Sequence, residues 1–199
     1  VHRYDGHCRH IDEEKVKTFS AEKDPSLRLS IDSCDIEFTD RWQGVQHIHL
    51  EGELDDYVLR RGDGMYAYNL AVVLDDIAMG ITEVIRGDDL LDTTGQQIYL
   101  YKTLQQCLHS KHIKVPSYGH APLLIDSEGH RLSKRQKSIT IRELRDNQWS
   151  ANRIVGELAI AGGLVKANAL NNREISISEL IKIDLNLPCL SQKTIEIKI

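Results

Sequence analysis

The sequence predicts an α/β fold with a smaller helical part towards its C-terminal end. Strand-like and helix-like stretches alternate through the middle of the 199 residues, the order in which a sheet and its covering helices pack as layers. From about residue 140 onward, helix-like stretches follow one another. Turn signals built on Gly, Asp and Pro separate these stretches. No internal repeat and no low-complexity segment interrupts the pattern.

The first stretch, to about Ser33, is polar and irregular, with three histidines by position 10. "DIEFTDRWQGVQHIHL" then alternates well enough for strands, with Trp42-Gln43-Gly44 as a turn. "DYVLRRGDG" reads as a strand over Tyr57, Val58 and Leu59, closed by the strong turn Gly62-Asp63-Gly64. "YAYNLAVVLDDIAMG" fits either a buried strand or a buried helix. Its length, and Gly80 placed like a helix C-cap, favour the helix.

"ITEVIRG" is a short apolar alternation suited to a strand. In "LDTTGQQIYLYKTLQQCL", Ile98, Leu100 (or Tyr101), Leu104 and Cys107/Leu108 recur at helical spacing, with Thr93 or Thr94 as the expected N-cap. Pro116 breaks the chain, and "HAPLLID" predicts one more strand. Ser127-Glu128-Gly129 then turns the chain into "HRLSKRQ". Beyond it, "TIRELRDN", "SANRIVGELAIAGGL" and "SISELIKI" predict three short helices.

Composition narrows the function classes. Hydrophobic residues at 41% and charged residues at 28% describe an ordinary globular protein. No apolar run approaches the ~20 residues of a membrane span, and no secretory signal opens the chain. Cys8, Cys34, Cys107 and Cys189 are widely spread without a CxxC pair, which suits a reducing compartment and predicts a cytoplasmic protein. A formal net charge of -5 excludes indiscriminate nucleic-acid binding through bulk charge, so any RNA contact must be local.

That charge makes "HRLSKRQ" conspicuous, because Arg131, Lys134 and Arg135 fall within five positions of an acidic chain. A solvated loop is one reading. The other is a phosphate site, since a strand, a turn and a cationic loop stand where α/β sheets bind ligands. A lysine ammonium is a compact charge for a phosphate oxygen, and Arg131 supplies a planar fork.

Three segments read with this run favour the second. "YAYNLAVVLDD", "GITEVIRGDDLLDTTGQQIYLY" and "YGHAPLLIDSEGHRLSKRQ", in this order and at these separations, resemble the class I glutamyl-tRNA synthetases, most closely the short glutamyl-Q tRNA(Asp) synthetases. The resemblance spans roughly Tyr4 to the last helices and weakens after Asn147. It places Leu132-Ser133-Lys134-Arg135 at the family's KMSKS-type loop and implies the second half of a Rossmann-type nucleotide fold. Residues 1–44 would then be the remnant of a zinc-binding, acceptor-type insertion, 45–147 the nucleotide-fold half with that loop, and 148–199 a helical segment.

The resemblance also implies an activity: joining glutamate to ATP (with Mg) and passing it to the queuosine base of tRNA(Asp), by a monomer. Enzymes assist such steps mainly through positioning and stabilisation of charge on the phosphates. Lys134 stands where ATP phosphate is bound, and Arg131 replaces the motif's usual first lysine while keeping its charge. Arg135 and Lys137 rank lower, with an exposed loop face as their competing reading. Tyr68 and Arg86, eighteen residues apart (86 minus 68), match the glutamate-binding tyrosine and arginine. The competing readings are a core tyrosine, and a salt bridge of Arg86 to Asp88 or Asp89. His120 matches a family histidine placed near ATP, with simple packing as its alternative. Asp75-Asp76 caps the helix or orients the basic loop, and Gly95-Gln96 departs from the family's Pro-Arg.

Near the N-terminus, Tyr4 and Cys8 match half of a family zinc site whose Cys-x-Cys half would precede Val1. Zinc requires four ligands, so two cannot hold it. His2, His7 and His10 are chemically able to complete a site, although the family does not use them. The HIGH-type ATP motif is absent from all 199 residues, so the expectation is a fragment inactive alone. Two alternatives stay open: a fragment of an ordinary glutamyl-tRNA synthetase charging tRNA(Glu), and a non-catalytic binding module. The chain runs 65 residues past Lys134 (199 minus 134), short of an anticodon-binding domain, which favours the glutamyl-Q form.

Overall fold

The computed structural model describes residues 6, 9–22, 24–132, 140–183 and 190–197, with the side chains of Glu22, Glu53 and Leu54 excepted. The chain forms an α/β structure of two compact units. The first comprises residues 1–40, 45–84 and 90–118, and the second 41–44, 85–89 and 119–199.

Two elements arise in the stretch read as irregular: helix α1 (Glu13–Glu22) and strand β1 (Leu27–Leu29). α1 is exposed along almost its whole length, so its sequence carries no apolar stripe to betray it. The Asp12 carboxylate accepts the Lys15 N–H at 2.8 Å and starts the helix. Strands β2 (Cys34–Asp40) and β3 (Gly44–Leu50) flank the predicted Trp42-Gln43-Gly44 turn. A link this short can join only antiparallel strands. β4 (Tyr57–Arg60) pairs antiparallel with β1, matching Leu29 to Tyr57. Between them Asp56, almost fully buried, accepts the Ile31 N–H at 2.6 Å and faces Arg9 at 3.4 Å.

Helix α2 (Tyr68–Met79) ends as expected at Gly80, whose φ of 67° is the left-handed C-cap. Ile81 N–H closes the cap on the Asp76 carbonyl at 2.9 Å. Strand β5 (Glu83–Gly87) leads through a 3-10 turn, Asp88–Thr93, into α3 (Thr94–Cys107). Thr93 occupies the expected N-cap position, but its side chain makes no capping hydrogen bond. Thr93 already has helical dihedrals, and both threonine hydroxyls donate back to the Leu90 carbonyl, because the 3-10 turn supplies that carbonyl.

α3 contributes to two clusters of the first unit. Ile98 joins Ile31, Ile36, Leu50 and Tyr118, while Leu100 and Tyr101 join Val73 and Ile113. Each such aliphatic burial stabilises by about 1.5–3 kcal/mol. Cys107 and Leu108 point outward instead, Leu108 being 64% exposed, since the helix runs past its supporting layer. Gly95 now has a physical reason. A Cβ there would lie 2.8 Å from Ile48 Cγ2, so the first turn of α3 presses on β3 through that glycine.

"HAPLLID" is two strands rather than one. β6 (Ser117–Ala121) and β7 (Leu123–Ile125) are parted at Pro122, which has no N–H for a ladder, and they enter different sheets. The main sheet has the order β3-β2-β6-β5, with β2 and β6 parallel at Asp40 and Tyr118. Within the second unit, β7 pairs in parallel with β8 (Thr194–Glu196). β8 lies in the part expected to be helical. Its signal was the alternation that buries Ile195 and Ile197, but it needs the distant edge of β7 to become a strand.

The three predicted helices are present as α4 (Ile141–Asp146), α5 (Ala151–Ala161) and α6 (Ile177–Leu180). Thr140, Ser150 and Ser176 cap their first turns, and Glu143 and Glu179 complete capping boxes at α4 and α6. No described helix is long and apolar enough to cross a membrane.

Candidate active site

The second unit gathers three of the expected residues around the ends of β5 and β6. Arg86 lies on β5, half-buried, and its Nε–H donates to Nε2 of His120 on β6 at 2.9 Å. His120 is completely buried. A guanidinium N–H only donates, so His120 Nε2 accepts and the ring proton sits on Nδ1. The bond thus selects a neutral imidazole of one tautomer.

The backbone under His120 is held as firmly as its ring. Gln43, from the β2–β3 turn, donates its amide to the His120 carbonyl at 3.1 Å and lies 3.5 Å from the Leu190 carbonyl. Gly119 lets two large side chains close in beside it. A Cβ there would lie 2.8 Å from Ile85 Cδ1 and 3.0 Å from Trp42 Cζ3. The sequence marked Gln43 only as a turn residue and had no local signal for this role.

The basic run leaves from a rigid hairpin. The Asp126 carboxylate accepts the N–H groups of Glu128 and His130 at 3.0 and 2.8 Å, and Gly129 turns at φ 81°. Arg131 bridges back to Ile125, and Leu132 N–H reaches the Leu124 carbonyl at 2.9 Å. The Arg131 guanidinium meets the Asp89 carboxylate at 2.7 Å, with both groups partly solvated. Asp89, considered from sequence as a partner of Arg86, therefore pairs with the basic run. Its neighbour Asp88 buries Oδ1 with no hydrogen-bond partner among the described residues. Lys134, Arg135 and Lys137 lie outside the described residues.

Tyr68 belongs to the first unit, as the opening residue of α2. It is 62% exposed, which removes the core-tyrosine reading, whereas Val73 on the same helix is buried. Asn69 is tied to the buried Gln97 at 3.1 Å. Asp75 is exposed, and Asp76 accepts the Tyr101 hydroxyl at 3.3 Å. Burial, ahead of the neighbouring Tyr118 and Asp76, pushes the Tyr101 hydroxyl well above its ordinary pKa, so it stays a donor. That paired acid serves the core.

Tyr4 and Cys8 also lie outside the described residues, and no group of three metal-ligating side chains occurs among those described. Among the described residues, none forms part of a four-ligand zinc centre.

The family of class I tRNA synthetases (E and Q), catalytic domain, matches residues 1–189. The glutamyl-Q tRNA(Asp) synthetase of Symbiobacterium thermophilum is 42% identical over 163 residues, 81% of this chain and 48% of that protein. Its counterpart from Nitratidesulfovibrio vulgaris is 41% identical over the same shares. This chain spans about half the length of the curated relatives it matches. In fold, a glutamate-tRNA synthetase from Elizabethkingia anophelis superposes with a TM-score of 0.74 at 24% identity, covering 100% of this chain and 43% of that one. With sequence and fold in agreement over nearly its whole length, the chain belongs to the class I tRNA synthetases (E and Q), catalytic domain.

Proposed function

We propose that the complete protein activates glutamate with ATP and transfers it to the queuosine base of tRNA(Asp). The observation that carries this reading is the identity of 41–42% with glutamyl-Q tRNA(Asp) synthetases across 163 residues. Residues 45–147 supply the second half of the nucleotide fold, 1–44 the insertion remnant, and 148–199 a mostly helical segment that ends in β8.

In the first step, a carboxylate oxygen of glutamate attacks the α-phosphorus of ATP, and the bond to pyrophosphate breaks. A nucleophile of the modified base then attacks the activated carbonyl, and AMP leaves. Magnesium accompanies ATP and would neutralise phosphate charge. Arg86 and Tyr68 bind glutamate: the arginine as a planar fork for a carboxylate, the tyrosine as an orienting hydroxyl. An uncharged analogue would leave Arg86 without its partner, which is how the site discriminates.

Lys134 stabilises the phosphates, and Arg131 joins it. The Arg131–Asp89 bridge is partly solvated, and such pairs contribute only about 0–1 kcal/mol. A triphosphate carrying several charges therefore displaces Asp89 readily. His120 belongs to the same group of residues through Arg86.

The test is single-turnover adenylate formation in the complete protein at saturating glutamate. Lys134→Ala should lower the rate roughly 10²–10³-fold, about 2.7–4 kcal/mol by analogy with oxyanion donors. Lys134→Arg should recover only part, because a broad fork does not replace a point charge. Two unchanged rates would return the basic run to a solvated loop. Labelled glutamate should then appear on queuosine-bearing tRNA(Asp). Label on the 3' end of tRNA(Glu) would favour the ordinary synthetase, and no adenylate at all a non-catalytic binding module.

A further inference from the structure

We infer that Asp89 is a specificity-determining residue for ATP, an internal anion that holds Arg131 until a polyphosphate takes its place. The inference rests on the proposed role of Arg131 at the ATP phosphates and assigns what Asp89 does there. Arg131 Nη1 meets Asp89 Oδ2 at 2.7 Å, although the two residues are 42 positions apart (131 minus 89). Asp126 and Glu128 are far closer in sequence, yet they turn elsewhere. Asp126 accepts the N–H groups of Glu128 and His130, and both acids face the His130 ring, at 3.6 and 3.4 Å. The root of the arginine is fixed as well, by its bridge to Ile125 and by the Leu132 N–H on the Leu124 carbonyl.

The carboxylate has a seat of its own. Asp89 follows β5 by two residues, and its Oδ1 lies 2.7 Å from the place where a Cβ on Gly87 would stand. Leu123 Cδ2 closes in at 3.1 Å from the same point. Gly87 has no positive φ, so the glycine supplies room rather than torsional freedom. One carboxylate oxygen lies over the missing side chain, and the other is left for Arg131. A side chain at position 87 would drive the carboxylate off this seat.

Two anions therefore compete for one guanidinium. The tethered carboxylate is always at hand, whereas a phosphate has to arrive from solution and displace it. The pair is partly solvated, its side chains being 51% and 32% exposed, so its hold is weak. That small factor leaves a triphosphate bound, because several charges hold it. It takes a lone anion, weakly held to begin with, further from saturation.

The test is titration calorimetry of the complete protein with ATP and with adenosine. Arg131→Ala should weaken ATP binding roughly 10–100-fold, the range of a lost hydrogen bond between charged groups. Asp89→Asn should do the opposite and tighten ATP about two- to fivefold, the most that a partly solvated pair withholds. Adenosine, which carries no phosphate, should bind that variant and the wild type equally. On the Arg131→Ala background, Asp89→Asn should have no further effect, because the contested group is gone. Gly87→Ala keeps every charge but unseats the carboxylate, so it should also tighten ATP.

ATP binding that weakens or stays unchanged in Asp89→Asn, while Arg131→Ala still weakens it, overturns the inference alone. So does a tightening that persists without Arg131, since it would belong to the removed charge and not to the pair. Unchanged ATP binding in Arg131→Ala removes the phosphate reading of Arg131 and the inference together. Should Gly87→Ala fail to fold, the Asp89→Asn result decides by itself.

Discussion

Two arginines of the second unit end on buried acceptors, and they do different work. Arg86 donates to neutral His120 at 2.9 Å. Arg173 grips Glu157 of α5 with two donors, Nε at 2.6 Å from Oε1 and Nη2 on Oε2. The Glu157 side chain is only 7% exposed. A buried carboxylate must keep its counter-ion, because removing the partner leaves a desolvated charge. A neutral imidazole makes no such demand on Arg86. The charged pair belongs to stability, and the neutral pair lies where glutamate binding is proposed.

The local backbone supports the distinction. Arg173 is itself in the left-handed region at φ 59°, following Asn172 at 50°, an unfavourable pair of conformations for residues with side chains. Gly156 lets that strained turn lie against α5, and the ion pair fastens it there. At Arg86 the strand is regular, and the glycine is spent on packing Trp42 and Ile85 beside His120.

The sharpest way to break this comparison is Arg86→Ala. Losing one partner of a desolvated charged pair costs roughly 3–5 kcal/mol, so glutamate-dependent exchange should fall more than a hundredfold. ATP affinity and the unfolding midpoint should stay close to wild type. Exchange within threefold of wild type, or a large fall in stability, would mean that Arg86 is as structural as Arg173.

Next in size is Gly156→Ala, which attacks the other side. The added Cβ would sit 1.9 Å from the Arg173 carbonyl oxygen, which is backbone and cannot rotate away. Overpacking of this kind costs about 1–3 kcal/mol, against a gain of roughly 0.5–1 kcal/mol for replacing a helical glycine. Denaturant unfolding should show a net loss. An unchanged or raised midpoint would show that the turn is free to move, and the Arg173–Glu157 pair would lose its structural standing.

The smallest effect concerns pH. The hydrogen bonds from Arg173, ahead of the opposing effect of burial, hold the Glu157 carboxyl below its ordinary value of 4.5. A depressed folded-state pKa means that the unfolded chain takes up the proton first. The pair's contribution is therefore complete above about pH 4.5 and lost as pH falls through the folded value. The stability difference between wild type and Glu157→Gln should stay level at neutral pH and shrink on acidification. A difference that grows towards low pH would reverse the argument.

How far the sequence could be read follows the range of the interactions. Gly80 announced its cap, and the three short helices that Thr140, Ser150 and Ser176 cap were legible as segments, because each needs only neighbours within four residues. Thr93 took the N-cap position that the same rule gives it but without the side-chain bond, since a preceding 3-10 turn gave the hydroxyls of Thr93 and Thr94 a carbonyl instead. Arg86, Tyr68 and Arg131 were singled out by charge, type and resemblance. Gln43 carried no signal, because its partner is 77 residues away.

By itself, then, the sequence determined the elements whose hydrogen bonds close locally, the cationic loop at residues 130–136 and the residue types available to a glutamate site. Tertiary structure alone decided that β8 exists, that Pro122 divides two sheets, that Asp89 meets Arg131, and that His120 faces Arg86. A helix cap is specified by the residues that form it. A strand partner, an ion pair across a turn or the tautomer of a buried ring depends on which distant group the fold brings within 3 Å, and no local pattern encodes that distance.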